Sequence, residues 1–131
     1  AKLKNALKSG DMAYIQSEAL SQADAGAHAL DVNAGLPGID EAKVLCDAVC
    51  AVQEVCSLPL QIDTGNPHAM EASLRRYNGK AMVKCAAEDV EKLLPIAAKY
   101  GAVVAVPAAA EAAVLAAAEK VGMQKKDVLF F

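Results

Sequence analysis

The sequence predicts an α/β fold: a parallel sheet arranged as a TIM-type (β/α) barrel, with about five strand–helix units. Three observations predict it. Short strand-like runs alternate with amphipathic helical stretches, and strand starts recur about every 20 to 30 residues, within the range of a repeated βα unit. The strands are almost continuously apolar, as in parallel sheets covered on both faces or closed into a barrel. No Gly-rich GxGxxG or Walker loop follows any strand, which removes the main sequence support for a doubly wound nucleotide-binding fold.

The elements follow in order. Asp11 can cap a helix running to about Ala25, with Met12, Ile15, Ala19 and Ala23 on one face and Gly26 as its stop. "AHALDVN", Ala27 to Asn33, is a short apolar strand that finishes in polar residues, followed by the loop "AGLPGID". A helix then presents Ala42, Leu45, Val49, Val52 and Cys56 inward and Glu41, Lys43, Asp47 and Glu54 to the surface. "LPLQID" is the next strand. The helix after Asn66 buries Met70, Leu74 and Tyr77, leaves Arg75 and Arg76 outside, and is closed by a left-handed stop at Asn78–Gly79.

"KAMVKC" is another strand and "AAEDVEKLLPIAAKY" another helix, with Val90, Leu93, Leu94 and Ala97 as its buried stripe and Pro95 expected to kink it. "GAVVAVP" is a fully apolar strand. An Ala-rich helix from about Ala109 to Val121 and a last strand, "DVLFF", complete the chain.

The 131 residues suit one hydrophobic core and therefore a single domain, 1–131. A barrel of eight units typically needs about 250 residues, so the expectation is an incomplete barrel, or one completed by further copies as a homo-oligomer. No apolar stretch is long and charge-free enough for a membrane span, which argues against a membrane partner. A formal net charge of -3 with no basic stripe and 4% aromatics argues against nucleic acid as the main partner. Cys46, Cys50, Cys56 and Cys85 are read as thiols of a reducing cytoplasm; no tight CxxC pair or His at ligand spacing supports a metal site.

Chemistry-bearing residues gather where strands end: Asp31 and Asn33 after the first, Asp63, Thr64 and Asn66 after the second, Lys84 and Cys85 after the third. In a barrel these positions open onto one mouth, where α/β folds place their ligands. Carboxylates and amides there suit a flat heterocycle with ring N–H, amino and carbonyl groups. The local alternatives are plainer: Asp63 caps its turn, Asp31 and Asn33 satisfy loop amides, and Asn66 caps the following helix.

Two blocks, "GAHALDVNAGLPGIDE" (26–41) and "LPLQIDTGNPHAMEASLRRYNGKAMV" (58–83), resemble the pterin-binding barrel of corrinoid-dependent methyltransferases. That group includes the methyltetrahydrofolate-binding domain of cobalamin-dependent methionine synthase and the methyltetrahydrofolate:corrinoid iron-sulfur protein methyltransferases, with dihydropteroate synthase a more distant relative. The resemblance runs from about Lys2 to Gly101 and fades in the Ala-rich tail. It implies a pterin-binding TIM barrel that transfers a methyl group from N5 of methyltetrahydrofolate to a corrinoid held by a partner protein. By that resemblance Asp63 is the pterin anchor, Asp31 and Asn33 match a strand-end "DxN", Asn66 matches an Asn of the same loop, and Lys84 is a candidate to line the site.

The chain also departs from the family's pattern. Lys84 and Cys85 stand where the family carries an Asn-Ser pair, the "GERIN"-like first-strand block has no match, and neither has the acidic residue expected after the sixth barrel strand. A degenerate, non-catalytic barrel fragment serving assembly is the alternative reading. A dihydropteroate-synthase-like enzyme ranks last, because the loop after Asn33 offers no basic residues for a pyrophosphate.

Overall fold

The protein's structure, a computed structural model, describes residues 2–36 and 38–131. Five strands form one sheet in the order β1 (Leu30–Val32), β2 (Leu60–Asp63), β3 (Met82–Lys84), β4 (Val103–Val106) and β5 (Val128–Phe130), every neighbouring pair parallel. Among the described residues six α-helices accompany them: α1 (Lys2–Ser9), α2 (Met12–Asp24), α3 (Glu41–Val55), α4 (Pro67–Arg76), α5 (Val90–Lys99) and α6 (Glu111–Lys120). A doubly wound sheet reverses its strand order at a switch point; this one runs straight through in sequence order. Crossovers of one hand put successive helices on the same side of such a sheet. The helices accordingly pack on one another in series, α2 on α3, α3 on α4, α4 on α5 and α5 on α6. The result is an α/β fold with the layout of a partial βα barrel.

Side chains alternate across a strand, so the parallel register sorts the sheet into two faces. Leu60, Ile62, Val83, Val104 and Val106 lie on the face under the helices, each 0 to 1% exposed. The helices meet them with Leu45, Val49 and Val52 from α3, Met70 and Leu74 from α4, and Val90, Leu93, Leu94 and Ala97 from α5. The opposite face carries Asp31, Gln61, Asp63, Met82, Lys84, Val103, Ala105 and Leu129, and most of these are half-buried or exposed.

Several boundaries differ from the sequence reading. Lys2–Ser9 forms a helix that its pattern did not announce: its charged residues dilute a stripe of which only Ala6 and Leu7 are buried. The first strand is shorter than Ala27–Asn33, because residues 27–29 are taken up in the turn out of α2 and only Leu30–Val32 pair with β2. Cys56 lies just past α3 in an extended conformation. Helix α4 ends not at a left-handed Asn78–Gly79 stop but at Tyr77, which turns extended so that its phenol accepts a 3.2 Å hydrogen bond from the Leu60 amide. Pro95 sits within α5, and the helix continues through it to Lys99.

Candidate functional site

The candidate side chains lie at or near the carboxyl ends of the strands. Asp63 closes β2 and is the register partner of Lys84, the last residue of β3; Asp31 of β1 is the register partner of Gln61. Because residues i and i+2 share a face, Gln61 and Asp63 emerge together with Asp31 and Lys84 on the open side of the sheet. Asn33 follows two residues after Asp31, just beyond the strand. The structure therefore brings Asp31, Asn33, Asp63 and Lys84 together, and adds Gln61.

The hydrogen bonds show what each group is already committed to. Gln61 Nε2 donates to Asp31 Oδ1 at 3.1 Å. Asn33 Oδ1 accepts from the Gly35 amide at 2.8 Å, so its carbonyl oxygen organises the loop as a local turn. Asn66 is the N-cap of α4: its Oδ1 accepts from the amides of His68 (2.9 Å) and Ala69 (3.2 Å), and Pro67 occupies the first helical position, where its missing N–H costs nothing. The β2–α4 turn is tied by Thr64, whose Oγ1 accepts from the Asn66 amide at 3.0 Å and donates to a Glu41 carboxylate oxygen. Among the described residues no turn amide bonds to the Asp63 side chain. The capping work belongs to Thr64 and Asn66, and the Asp63 carboxylate is left facing the open side.

Its electrostatic setting is mixed. Partial burial, and then the Asp31 carboxylate nearby, push the Asp63 carboxyl above its ordinary pKa, while the Asn33 side chain and the Lys84 ammonium pull it down. Lys84 lies half-buried, with its Nζ 5.1 Å from the centre of the Phe131 ring. Behind the sheet, burial and the negative charges of Asp89 and Asp63 push the Cys85 thiol up to about 11, which keeps it protonated and unreactive. Cys46, on α3, points its sulfur at the Ala72 carbonyl at 3.6 Å. No group of three or more His, Cys, Asp or Glu among the described residues is arranged to hold a metal ion.

Two residues that sequence reasoning passed over lie beside these strand ends. Gln61 was legible as the i−2 neighbour of Asp63 on the same strand face. Asp89, at the end of a short 3-10 turn (Ala87–Asp89) after β3, forms a 2.8 Å ion pair with Lys92. Its carboxylate also presses against Gly65, where any Cβ would collide with it. Gly65 has no positive φ; a side chain there would displace the Asp89 carboxylate, so its part is this close approach and not a strained turn.

A cavity of about 270 Å³ opens elsewhere, at the outer edge of β1 between that strand, α1 and α2. Leu3, Leu7, Ile15 and Leu30 line it, and it reaches the polar cluster only through Asp31 and Asn33. Asp63, Gln61 and Lys84 lie outside it, so the shape of that cavity says little about the strand-end chemistry.

Fold and site together define an α/β protein that gathers acceptor and donor side chains at the carboxyl ends of consecutive parallel strands, where such sheets bind small molecules. Among proteins of established activity, the chain is similar to a methylcorrinoid:tetrahydrofolate methyltransferase of Eubacterium limosum, with 37% identity over 70 residues. That stretch covers 53% of this chain and 26% of the methyltransferase, so the chain spans about a quarter of that relative's length. No family model matches the chain. The similarity supports kinship with a methyltransferase. Among the described residues no helix is long and apolar enough to cross a membrane.

Proposed function

We propose that this chain supplies the pterin-holding strands of a methyltransferase that moves a methyl group between N5 of a tetrahydrofolate and a corrinoid carried by a partner protein. The observation that carries the reading is Asp63: a strand-end carboxylate on the open face, released from turn capping by Thr64 and Asn66, with Asp31, Asn33 and Lys84 around it. An ionised carboxylate accepts on both oxygens and so suits the adjacent amino and ring N–H groups of a pterin. Asn33 holds the loop through its oxygen and steadies the ionised form of Asp63 through its side-chain hydrogen bond. Asn66 contributes through the helix it caps, which fixes the turn next to Asp63.

The chemistry asked of these residues is mainly positioning. Methyl transfer needs the pterin held so that its N5-methyl bond points at the acceptor, and an anchored ring supplies that orientation. The resemblance in the sequence gives the direction from methyltetrahydrofolate to corrinoid, whereas the relative's name gives the reverse. One site serves both directions, since the same transition state is crossed either way. Completion of the barrel by further strands, from copies of this chain or another, belongs to the same proposal, as does a cytoplasmic setting.

The test is calorimetric titration of the protein with methyltetrahydrofolate. Asp63→Ala should weaken binding by about 100-fold, the scale of a paired charge-assisted hydrogen bond. Equal affinity in wild type and variant would sink the assignment.

A further inference from the structure

We propose that Lys84 is a specificity-determining residue which, beside Asp63, reads the carbonyl end of the ligand's aminopyrimidinone edge. The inference rests on the pterin reading above and deepens it.

A pterin shows along one edge an amino group, a ring N–H and a carbonyl oxygen, in the order donor, donor, acceptor. Asp63 complements the two donors and nothing else, because an ionised carboxylate only accepts. The remaining acceptor calls for a donor next to Asp63 on the same face. Lys84 meets both conditions: it is the register partner of Asp63 on the adjacent parallel strand, about 4.8 Å away across the sheet, and it emerges on the same side. An ammonium carries three N–H donors and no acceptor, so it complements a carbonyl oxygen and opposes a donor at that position.

The two groups are not consumed by each other. The ion pairs among the described residues do not include one between Lys84 and Asp63. The Lys84 ammonium rests instead at the Phe131 ring, 59% exposed, a contact worth little at such a site and easily exchanged for a ligand oxygen. On the β1 side, Gln61 Nε2 donates to Asp31 and the Asn33 side chain bonds to Asp63 itself, whereas the Lys84 ammonium on the β3 side donates to no side-chain oxygen among the described residues' hydrogen bonds and ion pairs. Asp63 and Lys84 together form an acceptor–donor pair in the order that the aminopyrimidinone edge requires.

The experiment compares two ligands that share the amino and ring N–H donors: a reduced 4-oxo pterin and its 4-thioxo analogue, whose sulfur is a poorer acceptor. Both are titrated at neutral pH into wild type and Lys84→Met, which keeps an apolar stem against Phe131. Wild type should prefer the oxo ligand by about 10-fold, and Lys84→Met should lose that preference by weakening the oxo ligand alone. Lys84→Arg, which restores a donor, should regain part of it. An equal loss of both ligands in Lys84→Met, or an unchanged preference, would overturn the role of Lys84 while leaving the pterin reading standing. Failure of wild type to bind either ligand would overturn the pterin reading and this inference with it. Matching thermal unfolding of Lys84→Met and wild type guards against loss by misfolding.

Discussion

The two faces of the sheet are made by the same strands and differ in almost every property. On the covered face, Leu60, Ile62, Val83, Val104 and Val106 are sealed under helices. One residue along, Gln61, Asp63 and Lys84 are half-buried and Leu129 is exposed on the opposite face. Parallel sheets normally have both faces covered, and the less covered side of this one bears acids, an amide and a lysine. The covered face supplies the close-packed core; the opposite face holds the charged and amide side chains, some of them bonded to one another.

The contrast is broken most severely from the covered side. Ile62→Ala removes a fully buried side chain between β1, β3 and the helices and should cost about 2–5 kcal/mol, read as a lowered midpoint in urea unfolding. A loss below about 1 kcal/mol would mean that the face is not the close-packed core described. A smaller effect tests the rim between the faces. Gly65→Ala sets a methyl group against the Asp89 carboxylate, a side-chain end that can turn aside, and should destabilise by about 0.5–1.5 kcal/mol, a penalty that Asp89→Ala in the same chain relieves. Additive losses in the double variant would show that the two do not press on each other.

The smallest effect has the opposite sign. Asp63 carries a raised pKa, so between the ordinary carboxylate value and the raised one the folded state keeps a proton that the unfolded chain has lost. Stability contributed by this group therefore falls as pH rises through that window. Asp63→Asn should leave the protein at least as stable as wild type at neutral pH, by up to about 1 kcal/mol after solvent screening, and should flatten that part of the pH profile. On the proposed pterin reading, ligand binding in the wild type should weaken as pH falls through the same raised value, because that role needs Asp63 ionised. Thermal unfolding across pH 4 to 8 checks the first expectation, and calorimetry checks the second; marked destabilisation by Asp63→Asn would reveal a structural role that the open face denies.

Much of this architecture was legible in the sequence. The apolar stripes of α3 and α5 and the runs "LQID" and "VVAV" specify helix and strand by period, and their parallel pairing follows from alternation. The strand-end positions of Asp31 and Asp63 came from the same pattern. What was hidden depended on contacts distant in sequence. The end of α4 is set by a phenol reaching Leu60, 17 residues away. The close contact at Gly65 is made by Asp89, in the turn after the next strand. Whether Asp63 caps its own turn was undecidable from its neighbours, since Thr64 and Asn66 are equally good caps and only the folded loop shows which of them does the work.

The uninterrupted strand order bears on how this chain reaches its structure. Each strand pairs with the ones before and after it in sequence, and each helix packs on its sequential neighbours, so no pairing waits on the return of a remote segment. Loop-closure entropy is therefore met in modest instalments, and the sheet can grow one unit at a time from any nucleus. Among these five strands none has to insert between two that are already paired.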